Sequence, residues 1–247
     1  PALFLWARLE PSAPRAPAGV AGRADLVRLA VPGLFFAADL AIWHWSIHYT
    51  SVANSTLLAN FAPIFVALAS WALWGEHFTR TFLAGLVLAL LGAGVLMSSS
   101  LRLGLDTLLG DGLGLLTAVF YAGYILSVAR LRARFSTATL MAWSSVISAL
   151  ALIPVTLAAG EGLVAGSLHG WAVLLGLALF SHAGGQSLIA YALAHLPPAF
   201  SAVSLLVQPA GAAILAWLLL GEALGPVQGL GALVVLAGIF LARKGSR

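Results

Sequence analysis

The residue that most needs an explanation is Asp39. It falls in the middle third of an apolar run, Leu26–His48, where an ionisable group in hydrocarbon costs several kcal/mol unless it is paired or wetted. A carboxylate at that depth suits a proton- or amine-binding group in a central cavity. An acid beside a water-filled vestibule, or one paired with another helix, is the structural alternative. Trp43 lies four residues on, so the two share a helical face, and an aromatic ring beside an acid suits an amine or a ring-bearing solute. Trp45 and Tyr49 fit an aromatic belt at a membrane interface equally well. His44 and His48 are also four apart, but two imidazoles without a third ligand make a weak metal site.

Further polar groups lie in other apolar runs. Asn60 precedes Pro63 by three residues, and Gln208 stands directly before Pro209. Proline removes an in-helix hydrogen bond and frees a carbonyl, so a neighbouring amide either bridges helices or meets a solute. His182 and Gln186 are four apart in one run, and Tyr121 and Tyr124 give another a polar-tipped aromatic face. Packing with one satisfied hydrogen bond is the alternative for each. The candidate cavity set is therefore Asp39, Trp43, Asn60, Tyr121, His182, Gln186 and Gln208. No catalytic constellation accompanies it. The Ser and His residues form no nucleophile arrangement. Gly110-Asp111-Gly112-Leu113-Gly114 lacks the Lys-Ser/Thr ending and the preceding strand of a phosphate loop. Cysteine is absent, which removes disulfides and thiolate metal sites. Neither a metal, a cofactor nor an enzymatic reaction is expected.

The elements that must position these groups follow from composition. The chain is 61% hydrophobic and 8% charged, against about 25% charged in soluble domains. Apolar runs of about 20 residues, enough to span hydrocarbon as helices, recur throughout. They cover roughly Leu26–His48, Ser51–Trp74, Thr79–Met97, Gly110–Ala129, Ser136–Ala158, Leu168–Ala190, Pro197–Leu220 and Pro226–Ala242. A β-barrel would need polar residues alternating into its lumen, and these runs are apolar on every face. The 12 Lys and Arg, with net charge +4, sit between spans, where they orient the chain in a bilayer rather than bind nucleic acid. If the 10–25 linker is cytoplasmic, alternation leaves Arg102 as the one basic residue outside. The C-terminus then lies in the cytoplasm.

One stretch occurs twice. Pro63, Gly75, Glu76, Gly85 and Gly92 return as Pro209, Gly221, Glu222, Gly231 and Gly238, each 146 residues later and without a gap. Pro63 and Pro209 read as helix kinks, and the Gly-Glu pairs as turn and terminus devices. Gly75-Glu76 falls at the cytoplasmic end of its helix and Gly221-Glu222 at the outer end, so the copies cross the membrane in opposite directions. Inverted repeats suit alternating-access carriers. Five spans lie from Gly110 onward and three full spans before it. The expectation is an all-α polytopic membrane protein of two inverted five-helix units, ten helices when complete. Residues 1–97 form the first repeat, lacking its first helix and most of its second; 98–109 form the inter-repeat loop, and 110–247 the second repeat.

The doubled pattern resembles the EamA domain of the drug/metabolite transporter superfamily. It is carried by Ala53, Leu58, Pro63, Gly75, Glu76, Gly85 and Gly92, then by Ala199, Ser204, Pro209, Gly221, Glu222, Gly231 and Gly238. Ser204 departs from the Leu of the pattern. The resemblance implies a central solute cavity, cytoplasmic termini and export or exchange of small metabolites in a bacterial inner membrane. With no Lys or Arg mid-membrane in these runs, an amino acid or amphipathic amine is expected rather than a sugar phosphate. Proton coupling is an option, and a monomer or a homodimer is expected. A non-transporting membrane scaffold or regulatory subunit is the alternative, against which a mid-membrane Asp39 speaks.

Overall fold

A computed structural model of the chain describes residues 2–9, 22–102, 104–221 and 225–246. Every regular element among them is helical: α1 (Ala2–Leu9), α2 (Arg23–Tyr49), α3 (Val52–Ala59), α4 (Ala62–Trp74), α5 (Arg80–Met97), α6 (Leu108–Leu131), α7 (Thr137–Ala158), α8 (Leu168–Gly176), a π-helical stretch Leu177–Gln186, α9 (Ser187–Ala192), α10 (Pro198–Ser204), α11 (Val207–Leu220) and α12 (Pro226–Gly245). Grouped by continuity, they give eight helical segments long and apolar enough to cross a membrane. Helices meet the bilayer's demand that each backbone group find its partner within its own segment.

The ends are set by local chemistry. Ser51, Thr79, Ser136 and Ser167 each accept a hydrogen bond from a backbone amide three residues on, capping α3, α5, α7 and α8. Gly75 and Gly221 close α4 and α11 in the left-handed region, at φ 66° and 71°, where a Cβ would be strained. Two expected spans are interrupted. Ahead of Pro63, bonds from Phe61 N to Leu58 O and from Ile64 N to Phe61 O replace the α-helical spacing. Ahead of Pro209, Leu206 N to Val203 O and Gln208 N to Leu205 O do the same. Proline supplies no amide and crowds the carbonyl four residues back, so the helix tightens by one residue before each. Pro32, by contrast, sits inside a continuous α2. The 98–109 segment expected as a loop is largely two 3₁₀ turns, Ser98–Ser100 and Leu105–Thr107, leading into α6.

The chain forms two compact units, each drawing on both sequence halves: Pro1–Ala41 with Gly123–Leu196, and Ile42–Ala122 with Pro197–Arg247. In the first, α1 packs on α7, with Phe4 edge-on to Trp143 at 5.7 Å. Gly33 lies against Ser144 and Ile147, and Ser148 Oγ donates to the Gly33 carbonyl at 2.7 Å. Buried Asp25 binds Arg134 at 2.7 Å and Arg28 at 3.0 Å.

The second unit is built on α5 against α12. Gly85 rests on Ala242, Gly92 on Val235, Gly238 on Ala89 and Gly231 on Leu96, each close enough that a Cβ would strike backbone. Moving seven residues along α5 moves the partner seven residues back on α12, so the pair is antiparallel. The contacts also exchange under the repeat: Gly85 maps to Gly231, and its partner Ala242 is the counterpart of Leu96, on which Gly231 rests. That reciprocity is what an in-plane pseudo-two-fold requires. The fold is thus all-α, polytopic and built from inverted repeats.

Candidate solute site

The first unit gathers polar groups around aromatic rings at mid-helix. Phe36 on α2 lies 5.0 Å from the ring of Tyr124 on α6 and 5.3 Å from that of His182. His182 Nε2 is 2.7 Å from Ser145 Oγ on α7. Ser145 also donates to the Met141 carbonyl at 2.6 Å. A hydroxyl has one hydrogen, so this assignment makes Nε2 the protonated nitrogen of His182, leaving Nδ1 to accept. The Tyr124 hydroxyl approaches Gln186 Oε1 at 3.4 Å and Met141 Sδ at 3.7 Å. The Gln186 side-chain nitrogen makes no hydrogen bond among the described residues.

His182 and Gln186 occupy the π-helical stretch, which also contains Gly184 and Gly185. A π-helix widens the turn and is frequent at functional sites. Here it carries two polar side chains through an apolar segment. Asp39 lies three residues beyond Phe36 on α2 and is 8% exposed, with no hydrogen bond or ion pair among the described residues.

The remaining candidates belong to the second unit. Trp43 is half-buried, its ring edge-on to His44 at 5.4 Å. Asn60 stands at the α3–α4 break, its side-chain nitrogen buried without a hydrogen bond. Tyr121 is half-buried on α6, and Gln208 is exposed on the second residue of α11. Pro63 and Pro209 are buried just inside α4 and α11. Glu76 is tied through its amide to the Ser70 carbonyl at 3.3 Å; Glu222 lies outside the described residues.

Phe36, Tyr124 and Ser145 enter the site as contacts that the candidate set lacks. For Phe36 a signal exists: it lies 146 residues before His182, so the two are repeat counterparts whose rings meet at a 37° tilt. Ser144, Ser145 and Ser148 form a polar patch in an apolar run, which is the corresponding signal on α7.

A polar second-unit cluster has a different character. Asp111 accepts from Thr50 at 2.7 Å, Thr107 at 2.8 Å and Asn54 at 3.1 Å. Asn54 also pairs with the backbone N–H and C=O of Arg102. Each member is spoken for, which marks this cluster as a structural clasp.

The profile of the EamA-like transporter family matches residues 1–98 and 108–243. The chain is 30% identical over 230 residues to the pseudopaline exporter CntI of Pseudomonas aeruginosa, covering 92% of this chain and 78% of that one. It is 32% identical over 220 residues to the threonine/homoserine exporter RhtA of Escherichia coli, covering 87% and 70%. A probable terminal-alkyne amino-acid exporter of Streptantibioticus cattleyicolor is 26% identical, covering 89% and 74%. A solved crystal structure superposes with a TM-score of 0.76 over 92% of this chain and 78% of the other, at 17% identity, a likeness of fold.

Proposed function

The chain belongs to the EamA-like transporter family, a multi-pass membrane transporter and not an enzyme, and from that premise we propose that it exports a small amino compound by alternating access. The solute is an amino acid or an amphipathic amine, carried from the cytoplasm across a bacterial inner membrane, with the C-terminus cytoplasmic. The observation that carries this reading is the cluster of Phe36, Tyr124, Ser145, His182 and Gln186. It offers apolar walls, neutral hydrogen-bonding groups and, three residues from Phe36, the buried carboxylate of Asp39. Such a site matches a compact body bearing an ammonium group. Three relatives carry names of exporters of amino acids or of a named metabolite, which supports the same class. Asp39, Trp43, Asn60, Tyr121 and Gln208 complete the proposed solute path, with Asp39 as the group that binds the amine or a coupled proton. A scaffold without transport is not favoured, because packing alone gives no reason to bury a lone carboxylate.

The test is efflux from dipeptide-loaded cells expressing the chain. Faster loss of an amino acid, abolished by Asp39→Asn at equal expression, is expected. Efflux unchanged from the empty vector for amino acids and amines, with sugar phosphates exported instead, would contradict the substrate class.

A further inference from the structure

The end of the second unit that carries the α4–α5 turn contains a cavity of about 340 Å3, lined by Glu76, His77, Phe78, Phe82, Pro197 and Phe200 among others. Gly75 in its left-handed conformation turns the chain there, and the Glu76 amide bonded to Ser70 fixes where the carboxylate starts. The half-buried Glu76 carboxylate has no ion pair or hydrogen bond among the described residues. Phe78 stacks on buried Phe82 at 4.9 Å, and Phe200 forms a further apolar wall. Lys244, close in sequence to the lining residues Gly245 and Ser246, has its ammonium over the Phe240 ring at 4.9 Å.

The opposite end of the same unit shows that this opening is not imposed by the scaffold. The repeat counterparts of Pro197, Phe200 and Ser246 are Ser51, Asn54 and Ser100. There Ser51 Oγ reaches the Ser100 carbonyl at 3.4 Å, and Asn54 grips Arg102 at 2.6 and 2.8 Å. Proline and phenylalanine provide no side-chain hydrogen bonds, so the clasp that seals one end is replaced at the other by an apolar-walled cleft with a single carboxylate.

We propose that this cleft captures organic ammonium groups, Glu76 taking the charge while Phe78 and Phe200 cover the adjoining carbon. An ammonium ion gains from both a carboxylate and aromatic faces, whereas an anion gains from neither. In the orientation given above the cleft opens to the cytoplasm. It would be the first stop for the exported solute, a role that rests on the solute's carrying an amino group. The ammonium of an ethanolamine lipid headgroup shares this chemistry.

Calorimetric titration of benzylammonium into the chain in phosphatidylglycerol nanodiscs tests the site. An Asp39→Asn background removes the mid-membrane carboxylate from the measurement. Glu76→Gln is expected to weaken binding about tenfold and Phe200→Leu about threefold, while neutral benzyl alcohol binds Glu76→Gln and its parent alike. Glu76→Asp, which keeps the charge, guards against a folding defect. Equal affinity for benzylammonium in Glu76→Gln at unchanged thermal stability would overturn the proposal, as would equal affinity of the parent for benzyl alcohol. Adding phosphatidylethanolamine separates the sources: competition assigns the site to the headgroup, and undiminished binding assigns it to free amines. Loss of binding in Glu76→Gln beside absent amino-acid efflux would sink the transport reading and leave the site standing; the reverse pattern would sink the site alone.

Discussion

The two compact units treat the same repeat in opposite ways. In the second, α5 and α12 keep their packing glycines in register: glycine meets backbone at four reciprocal points, although residues between them differ. In the first, counterparts have diverged. Phe36 faces His182, Asp39 corresponds to Gly185, and α-helical α2 corresponds to a segment that becomes π-helical. Symmetry survives where close backbone packing leaves no room for a side chain. It is broken around Phe36, Asp39 and His182, at the proposed solute site. The lesson is that internal repetition marks the scaffold, and departures from it mark the chemistry.

Predictions that break or sharpen this contrast fall in order of size. Gly238→Val should drive a branched side chain into Ala89, costing about 3 kcal/mol or more and abolishing folded protein in detergent by size-exclusion analysis. Gly94→Ala on the facing helix α5, where nothing lies within 4 Å of a Cβ, should leave folded yield unchanged. In the first unit the expected loss is of flux rather than fold. His182→Ala removes the Ser145 contact and one ring from Phe36, and should lower initial transport more than tenfold, about 1.4 kcal/mol, at normal yield. His182→Phe restores the symmetry of the pair and should transport no better than the alanine variant. A smaller effect belongs to Arg134→Met, which removes the 2.7 Å partner of Asp25 and should cost about 1 kcal/mol of thermal stability. Thr79→Val removes a cap and a bond to the Gly245 carbonyl, worth about 1 kcal/mol, with transport per folded molecule unaltered.

How much of this was legible in the sequence depends on the kind of signal. The eight spans and the inverted repeat could be read directly, because apolar length and the 146-residue spacing of Pro and Gly are one-dimensional properties. The glycine pairs said that two helices approach closely; their reciprocal partners needed the fold. Interruption at Pro63 and Pro209 was foreseeable as a kink; the π-helical turn around His182 lacks a proline, and only the Gly184-Gly185 pair within it marks a bend in the sequence. Within the candidate site, His182 and Gln186 stood out as polar residues in an apolar run. Phe36 did not, because one phenylalanine among many looks like lipid-facing or core filler until its ring is seen against His182. Gln208 shows the converse: an amide beside a kink proline stands out in the sequence, while its burial depends on neighbours the sequence does not name.

Counterflow in proteoliposomes, with a labelled panel of amino acids, amines and sugar phosphates, bears most directly on the transport claim. Saturable exchange of one amino-bearing class is expected, lost in His182→Ala and in Asp39→Asn and retained in Gly94→Ala. Absence of exchange for every solute from correctly inserted protein, or saturable exchange of sugar phosphates alone, would contradict it.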